Sequence, residues 1–174
     1  MPGILPREFF ERRVLEVAKE LIGASLVRRL PDGHTIVSSM LTEVEAYDGP
    51  LDLASHASKG RTPRTEVMFG PAGVFYVYLI YGMHWMLNVV TGEPGYPAAV
   101  LIRGTKTISG PGRITAQLQI DKSLNGKPAN ESSGLWFENR SIAIRDERIE
   151  TTPRIGVEYS GDWSQVPYRF ILRE

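Results

Sequence analysis

Apolar and polar positions recur with two different periods along this chain, and each change of period marks an element. Over 6–23, Phe10, Val14, Val17, Ala18, Leu21 and Ile22 fall at helical spacing, Pro6 suits a first turn and Gly23 a C-terminal cap, which predicts one helix. Ser25 to Leu30 reads as a strand, Pro31-Asp32-Gly33 as a turn and Thr35 to Glu45 as the returning strand. In that second strand a period of two puts Val37, Leu41, Glu43 and Glu45 on one face, so carboxylates end a face that begins aliphatic. Val74 to Ile80 predicts a strand, Tyr81-Gly82-Met83-His84 its turn, and Trp85 to Val90 the return. After a turn at Gly92 to Pro97, Ala98 to Arg103 is a further apolar strand with Ala99, Leu101 and Arg103 on one face. Residues 109–120 read as a short capped helix, and Tyr168 to Leu172 as a last strand. Residues 48–73, broken by Gly49-Pro50, Gly60, Thr62-Pro63, Gly70-Pro71 and Gly73, read as a long loop, which in a small domain is usually functional or disordered. No repeat or linker interrupts the pattern, and one mixed α/β domain is expected.

Composition narrows the function classes. The 174 residues are 42% hydrophobic, enough for a core, and their 20 basic and 20 acidic side chains cancel, so a polyanion site must be a local patch. Cysteine is absent, which removes disulfides, thiolate nucleophiles, Cys-ligated zinc and iron–sulfur clusters. The start, Met1-Pro2-Gly3-Ile4-Leu5-Pro6-Arg7, has no charged end followed by a long apolar run, and the longest apolar stretch, Val74 to Tyr81, falls far short of a membrane span. A soluble intracellular protein is expected.

Several side chains then stand out. Glu45 is either a solvated strand-end glutamate or a general base in a partly apolar cleft, and Glu43, two residues back on the same face, is equally placed by spacing alone. His56 lies in the Gly/Pro/basic loop, either as a plain loop histidine or as a flat ring packed over a ligand, while His34 beside the Asp32-Gly33 turn is given no role. There is no HExxH spacing, P-loop, dinucleotide fingerprint or G-x-S-x-G, and Gly110-Pro111-Gly112 is a weak phosphate signal. Tyr76 and Tyr78 suit a core strand, but Tyr81 falls at the hairpin tip beside Gly82, Met83 and His84, where a ring suits a wedge into stacked bases. Arg103 ends an apolar strand, where it either snorkels to solvent or meets an anion or carboxylate. From Arg103 to Lys127 five basic residues meet only Asp121, a net +4; with Lys59, Arg61 and Arg64 they make the local patch that the overall balance hides.

Taken in order, these residues resemble the alkyladenine (3-methyladenine) DNA glycosylase family. The resemblance runs through Glu43-Val44-Glu45-Ala46-Tyr47-Asp48-Gly49-Pro50, Ala54-Ser55-His56-Ala57 and Thr62-Pro63-Arg64-Thr65-Glu66-Val67-Met68-Phe69-Gly70. It continues in the specific block Tyr76-Val77-Tyr78-Leu79-Ile80-Tyr81-Gly82-Met83-His84-Trp85-Met86-Leu87-Asn88, then Ala99 to Arg103, Ser109 to Ile114, Arg154-Ile155-Gly156 and Arg169-Phe170, nearly the whole chain.

The resemblance implies an α+β fold, a single compact domain over 1–174 with a curved, mostly antiparallel sheet, flanking helices and a protruding β-hairpin. It implies that Glu45 activates water against C1′ of a flipped nucleotide, with Arg103 and the backbone carbonyl of Ile155 as further contacts of that water. Tyr47 and His56 would sandwich the flipped base, the His56 N–H would donate to it, Tyr78 would pack at its edge, and Asn88 and Leu101 would lie near the purine 2-position. Tyr81, with Met83 and His84, would fill the gap in the duplex, and Lys59, Arg61, Arg64 and Arg113 would meet the DNA backbone. Turning a base out costs a few kcal/mol, least for a damaged pair, and aromatic walls accept many purines because every base has a π-face. Without a lysine at the catalytic positions no Schiff base is expected, so the activity is a monofunctional excision of alkylated or deaminated purines. No cofactor and no metal is implied; the partner is double-stranded DNA carrying damaged purines, met by a cytoplasmic, bacterial monomer that touches no membrane. Three departures stand in the motifs: Thr65 where asparagine is common, Val44 where threonine is common, and His84 where an aromatic ring often sits. Two rival readings are a non-catalytic module for damaged nucleic acid and a hydrolase of free nucleosides, the latter needing neither Tyr81 nor the basic patch.

Overall fold

The computed structural model of the chain describes residues 3–174; Met1 and Pro2, which open the segment read above as lacking a leader, lie outside the described residues. The predicted N-terminal helix is two: α1 (Arg7–Phe10) and α2 (Val14–Leu21). Arg13 is extended (φ −61°, ψ 140°), and Arg12 turns back to bond the Phe9 carbonyl and pair with Glu20, so the apolar spacing runs on across a kink. Gly23 does close this region with a positive φ of 91°, and Arg140 donates to the carbonyls of Lys19 and Ile22 that α2 leaves unpaired.

The centre is an eight-stranded sheet in which every strand pair among the described residues is antiparallel. Its path is β3 (Phe75–Ile80), β4 (His84–Thr91), β5 (Ala98–Thr105), β2 (Ile36–Asp48), β1 (Ser25–Arg29) and β6 (Leu135–Glu138), with β8 (Arg169–Leu172) joined to β2 and β7 (Ile149–Thr152) to β8. The 13-residue β2 holds it together: β5 runs along one edge, while β1 takes residues 36–40 of the other and β8 residues 43–45. The strand runs three residues beyond its predicted end, and its register against β5 breaks between Leu41 and Val44. Strict alternation therefore does not carry from Leu41 to Glu45; Leu41 packs in the apolar core together with Val44 and Ala46.

Val14, Val17, Ala18 and Leu21 of α2 enter that core with Leu26, Val44, Ala46, Phe75, Val77, Leu87, Val89, Val100 and Ile102. Ile114 of α3 (Pro111–Gln117), the short helix read from 109–120, joins them. Val44 is buried here, so its departure from the family pattern falls on the face away from Glu45. The outer edge of β3 is closed by 125–127: the Val77 N–H reaches Asn125 Oδ1 at 2.9 Å and the Phe75 N–H the Lys127 carbonyl at 2.9 Å. The β3–β4 hairpin starts buried and ends exposed, and protrudes as expected. The long loop holds two single 3₁₀ turns, His56–Lys59 and Glu66–Phe69, and Thr65 Oγ1 ties it by donating to the Gly60 carbonyl and accepting from the Thr62 N–H. No helix among the described residues is long and apolar enough to cross a membrane.

Candidate active site

Directly opposed residues of antiparallel strands point to the same face of a sheet. Val44, Ala46, Val77, Leu87, Val89, Val100 and Ile102 face the core, so their neighbours face the other way. Register then aligns Glu45 with Leu101, Leu101 with Asn88 and Asn88 with Tyr76, a row across four strands. The rows on either side hold Tyr47 with Ala99, and Tyr78 with Met86. This second face is roofed by the 54–56 loop and by 155–159, and between them lies a cavity of about 410 Å³. Tyr47, His56, Tyr76, Tyr78, Asn88, Leu101, Arg103 and Ile155 all line it, with Tyr81 at its rim.

Glu45 lies beneath the cavity floor, behind Tyr47, Arg103 and Ile155, which line it, and is fully shielded from solvent. Its Oε1 accepts from the Tyr47 hydroxyl at 2.9 Å, its Oε2 from the Ile155 backbone N–H at 2.8 Å, and Arg103 Nη1 stands 3.7 Å from Oε1. Burial pushes this carboxyl above the ordinary glutamate range, against the opposing pull of Arg103, the Ile155 N–H and the Tyr47 hydroxyl. Burial, then the neighbouring Glu45 charge, pushes the Tyr47 phenol well up, so it stays a donor. A desolvated carboxyl with a raised pKa, in contact with the lining of a cavity, has the electrostatics of a general base. Ile155 touches the carboxylate through its N–H, whereas the resemblance implied a part for its carbonyl.

The walls are aromatic. The His56 ring meets Tyr78 edge-on at 4.6 Å and its Nδ1 lies 3.4 Å from the Tyr76 hydroxyl. Burial, then Arg64 and Lys59, lower its pKa, which favours the neutral ring. The Asn88 amide donates to the Tyr76 carbonyl at 3.1 Å, which fixes its side chain in the wall.

At the rim, Tyr81 is 86% exposed and holds φ at 53°, a left-handed backbone that side chains other than glycine rarely adopt, followed by Gly82 at 66°. Met83 and His84 are also exposed, and the His84 ring lies beside α3, where a Cβ on Gly112 would stand 3.1 Å from its Nδ1. All four arginines and lysines assigned to the DNA backbone are exposed, and among the described residues Lys59 and Arg113 make no salt bridge. Arg61 pairs with Glu66 at 3.7 Å, and Arg64 lies over the Tyr78 ring and donates to the Leu79 carbonyl. No group of three or more His, Cys, Asp or Glu suited to a metal ion occurs among the described residues.

Sequence spacing missed the support beneath the floor. Arg154 and Asp52, 102 residues apart, are both fully buried and meet through two contacts, Nη1–Oδ2 at 2.6 Å and Nη2–Oδ1 at 2.9 Å. Arg154 also donates to the Ala46 carbonyl and backs the Tyr47 ring at 4.8 Å, while Asp52 accepts from the Asp48 and Ala54 N–H groups. Tyr159, which joins the cavity wall and donates to the Ala54 carbonyl, was likewise invisible, because no local period ties it to the sheet.

Fold and site together define a class, an α+β protein whose one antiparallel sheet carries an aromatic-walled cavity with a buried carboxyl, Glu45, beneath it. The chain belongs to the methylpurine-DNA glycosylase family, whose family model, described as methylpurine-DNA glycosylase (MPG), matches residues 8–109 and 104–174. Among similar proteins, one from Methanocella arvoryzae is 43% identical over 187 residues, covering 96% of this chain and 91% of its own. One from Myxococcus xanthus is 43% identical over 180 residues, covering 98% and 90%, and one from Legionella pneumophila strain Corby is 44% identical over 177, covering 98% and 94%. All three are named as candidate 3-methyladenine DNA glycosylases.

Proposed function

We propose that this chain, acting as one domain over 1–174, is a monofunctional DNA glycosylase that turns alkylated or deaminated purines out of duplex DNA and hydrolyses their N-glycosidic bond. The substrates in this reading are 3-methyladenine, 7-methylguanine, hypoxanthine and ethenoadenine, and the product is an abasic site. One observation carries it: a fully buried carboxyl, Glu45, raised by desolvation, contacts Tyr47, Arg103 and Ile155, which line an aromatic cavity whose rim bears an exposed tyrosine. Glu45 takes the proton of the attacking water as C1′ gains oxocarbenium character, and Arg103 and the Ile155 carbonyl complete the contacts of that water. A single carboxylate suffices because N3- or N7-alkylated purines leave as good leaving groups, unlike the sugars for which glycosidases use a pair. Neutral purines such as hypoxanthine depend more on protonation as they leave.

Tyr47 and His56 take the two faces of the base, Tyr78 its edge, and Asn88 and Leu101 the region where a guanine 2-amino group would clash. Tyr81, with Met83 and His84, occupies the gap left in the duplex, offsetting part of the unstacking cost. Lys59 and Arg113 are the foremost candidates for phosphate contacts, since Arg61 and Arg64 already hold partners.

The test is incubation with duplexes carrying one hypoxanthine or one ethenoadenine, and with alkylated DNA, followed by alkali to reveal abasic sites. Base release by the natural protein and its loss in Glu45→Gln is the expected result. Lesion binding with no release would instead make the chain a damage-recognition module.

A further inference from the structure

Glu43 shares the strand of Glu45 and remained a rival for its role by spacing, yet the structure puts it to a different use. Its side chain emerges where the β2–β5 register breaks, opposite Gly104. A Cβ on Gly104 would stand 3.1 Å from the Glu43 Cβ, so the absence of a side chain there lets Glu43 fit. One oxygen, Oε1, then accepts from two guanidinium groups, Arg169 Nε at 2.8 Å and Arg103 Nε at 3.2 Å. Arg169 is held in turn by β7 through Thr152 Oγ1 at 3.3 Å. Charges therefore alternate along Arg169, Glu43, Arg103 and Glu45, all half-buried except the fully buried Glu45.

The last link in that chain is the long one. Arg103 spends its Nε on Glu43 and presents Nη1 to Glu45 at 3.7 Å, beyond hydrogen-bond reach but well within range of charge. A direct guanidinium–carboxylate pair would close to roughly 2.8 Å and occupy a lone pair of the carboxylate. We infer that Glu43 is a positioning residue, which restrains Arg103 at this stand-off so that Glu45 keeps a free lone pair for water, with Arg169 balancing the charge of Glu43. The inference rests on the reading of Glu45 as the base. With Glu43 gone, Arg103 has only Glu45 left among these carboxylates, and it closes on the base.

The experiment is a double-mutant cycle on single-turnover excision from a hypoxanthine or ethenoadenine duplex, with lesion binding and the pH profile followed in parallel. Glu43→Ala is expected to slow excision about tenfold, leave lesion affinity within about twofold and move the acid limb of the rate to lower pH, because Arg103 then favours ionised Glu45. In an Arg103→Met background the same change is expected to alter rate by less than about twofold and to leave the limb in place. Glu43→Gln, closer in shape, carries the test if Glu43→Ala does not fold. Losses that simply add across the cycle, or a limb that shifts equally without Arg103, overturn the positioning role. If the natural protein excises and Glu43→Ala matches it, this inference alone falls; if the natural protein excises nothing, the reading of Glu45 falls with it.

Discussion

The floor of the cavity and the tip of the hairpin are built on opposite terms. Beneath the floor Glu45, Asp52 and Arg154 are wholly buried and each is held by several partners drawn from three distant segments, β2, the loop after it and the 154–163 stretch. At the tip Tyr81 stands in solvent, positioned by its own backbone and a single turn hydrogen bond from the Met83 N–H to the Ile80 carbonyl at 3.1 Å. Strain of different kinds is stored in each: a desolvated carboxyl beneath the floor, a left-handed tyrosine at the tip. The floor must hold reacting groups to fractions of an ångström, whereas a wedge needs only to reach and stack. Precision is bought by the fold at one end and left to the ligand at the other.

Breaking the buried support tests the first half of this contrast most harshly. Arg154→Met leaves Asp52 buried without its partner, and the expected loss is about 3–5 kcal/mol of stability in urea unfolding. A loss under about 1 kcal/mol would mean that the floor is not over-determined. Glu45→Gln comes next and separates chemistry from folding. Excision is expected to fall at least about 100-fold, the lower end of what a positioned base contributes. The fold itself is expected to become more stable near pH 7. A carboxyl whose folded pKa lies above its unfolded one contributes stability below the unfolded value and loses that contribution as pH rises through the folded one, and glutamine does not ionise.

Tyr81→Ala probes the tip. Excision from duplex DNA is expected to drop about tenfold, from the loss of one stacked ring, while the melting temperature stays level or rises slightly. A marked fall in melting temperature would show that the tip supports the fold after all. The smallest effect is the position of the acid limb: activity is expected to be lost as pH falls through a Glu45 value above the ordinary carboxylate figure of about 4.3, and a limb at or below that figure would contradict a desolvated base.

The contrast also explains what could be read from the chain. The hairpin, its tyrosine tip and the strands that carry Glu45 and Arg103, though not where those strands end, follow from alternation and turn residues within a dozen positions, so they are legible. The single long helix was not right, because helical spacing cannot see Arg12 bonding backward to Phe9 while Arg13 extends. Glu43 and Glu45 were indistinguishable by period, because the register break that assigns one to an arginine relay and the other to the floor depends on β5 and β8.

By itself the sequence determined which faces are apolar, where the chain turns and which residue types carry charge into the sheet, since these are properties of neighbours a few positions apart. Only the tertiary structure decided that Glu45 is sealed from water, that the N–H of Ile155, 110 residues on, reaches it, and that Asp52 finds Arg154. Desolvation and ion pairing depend on what surrounds a group in space, and those surroundings come from segments that meet only when the sheet closes around β2.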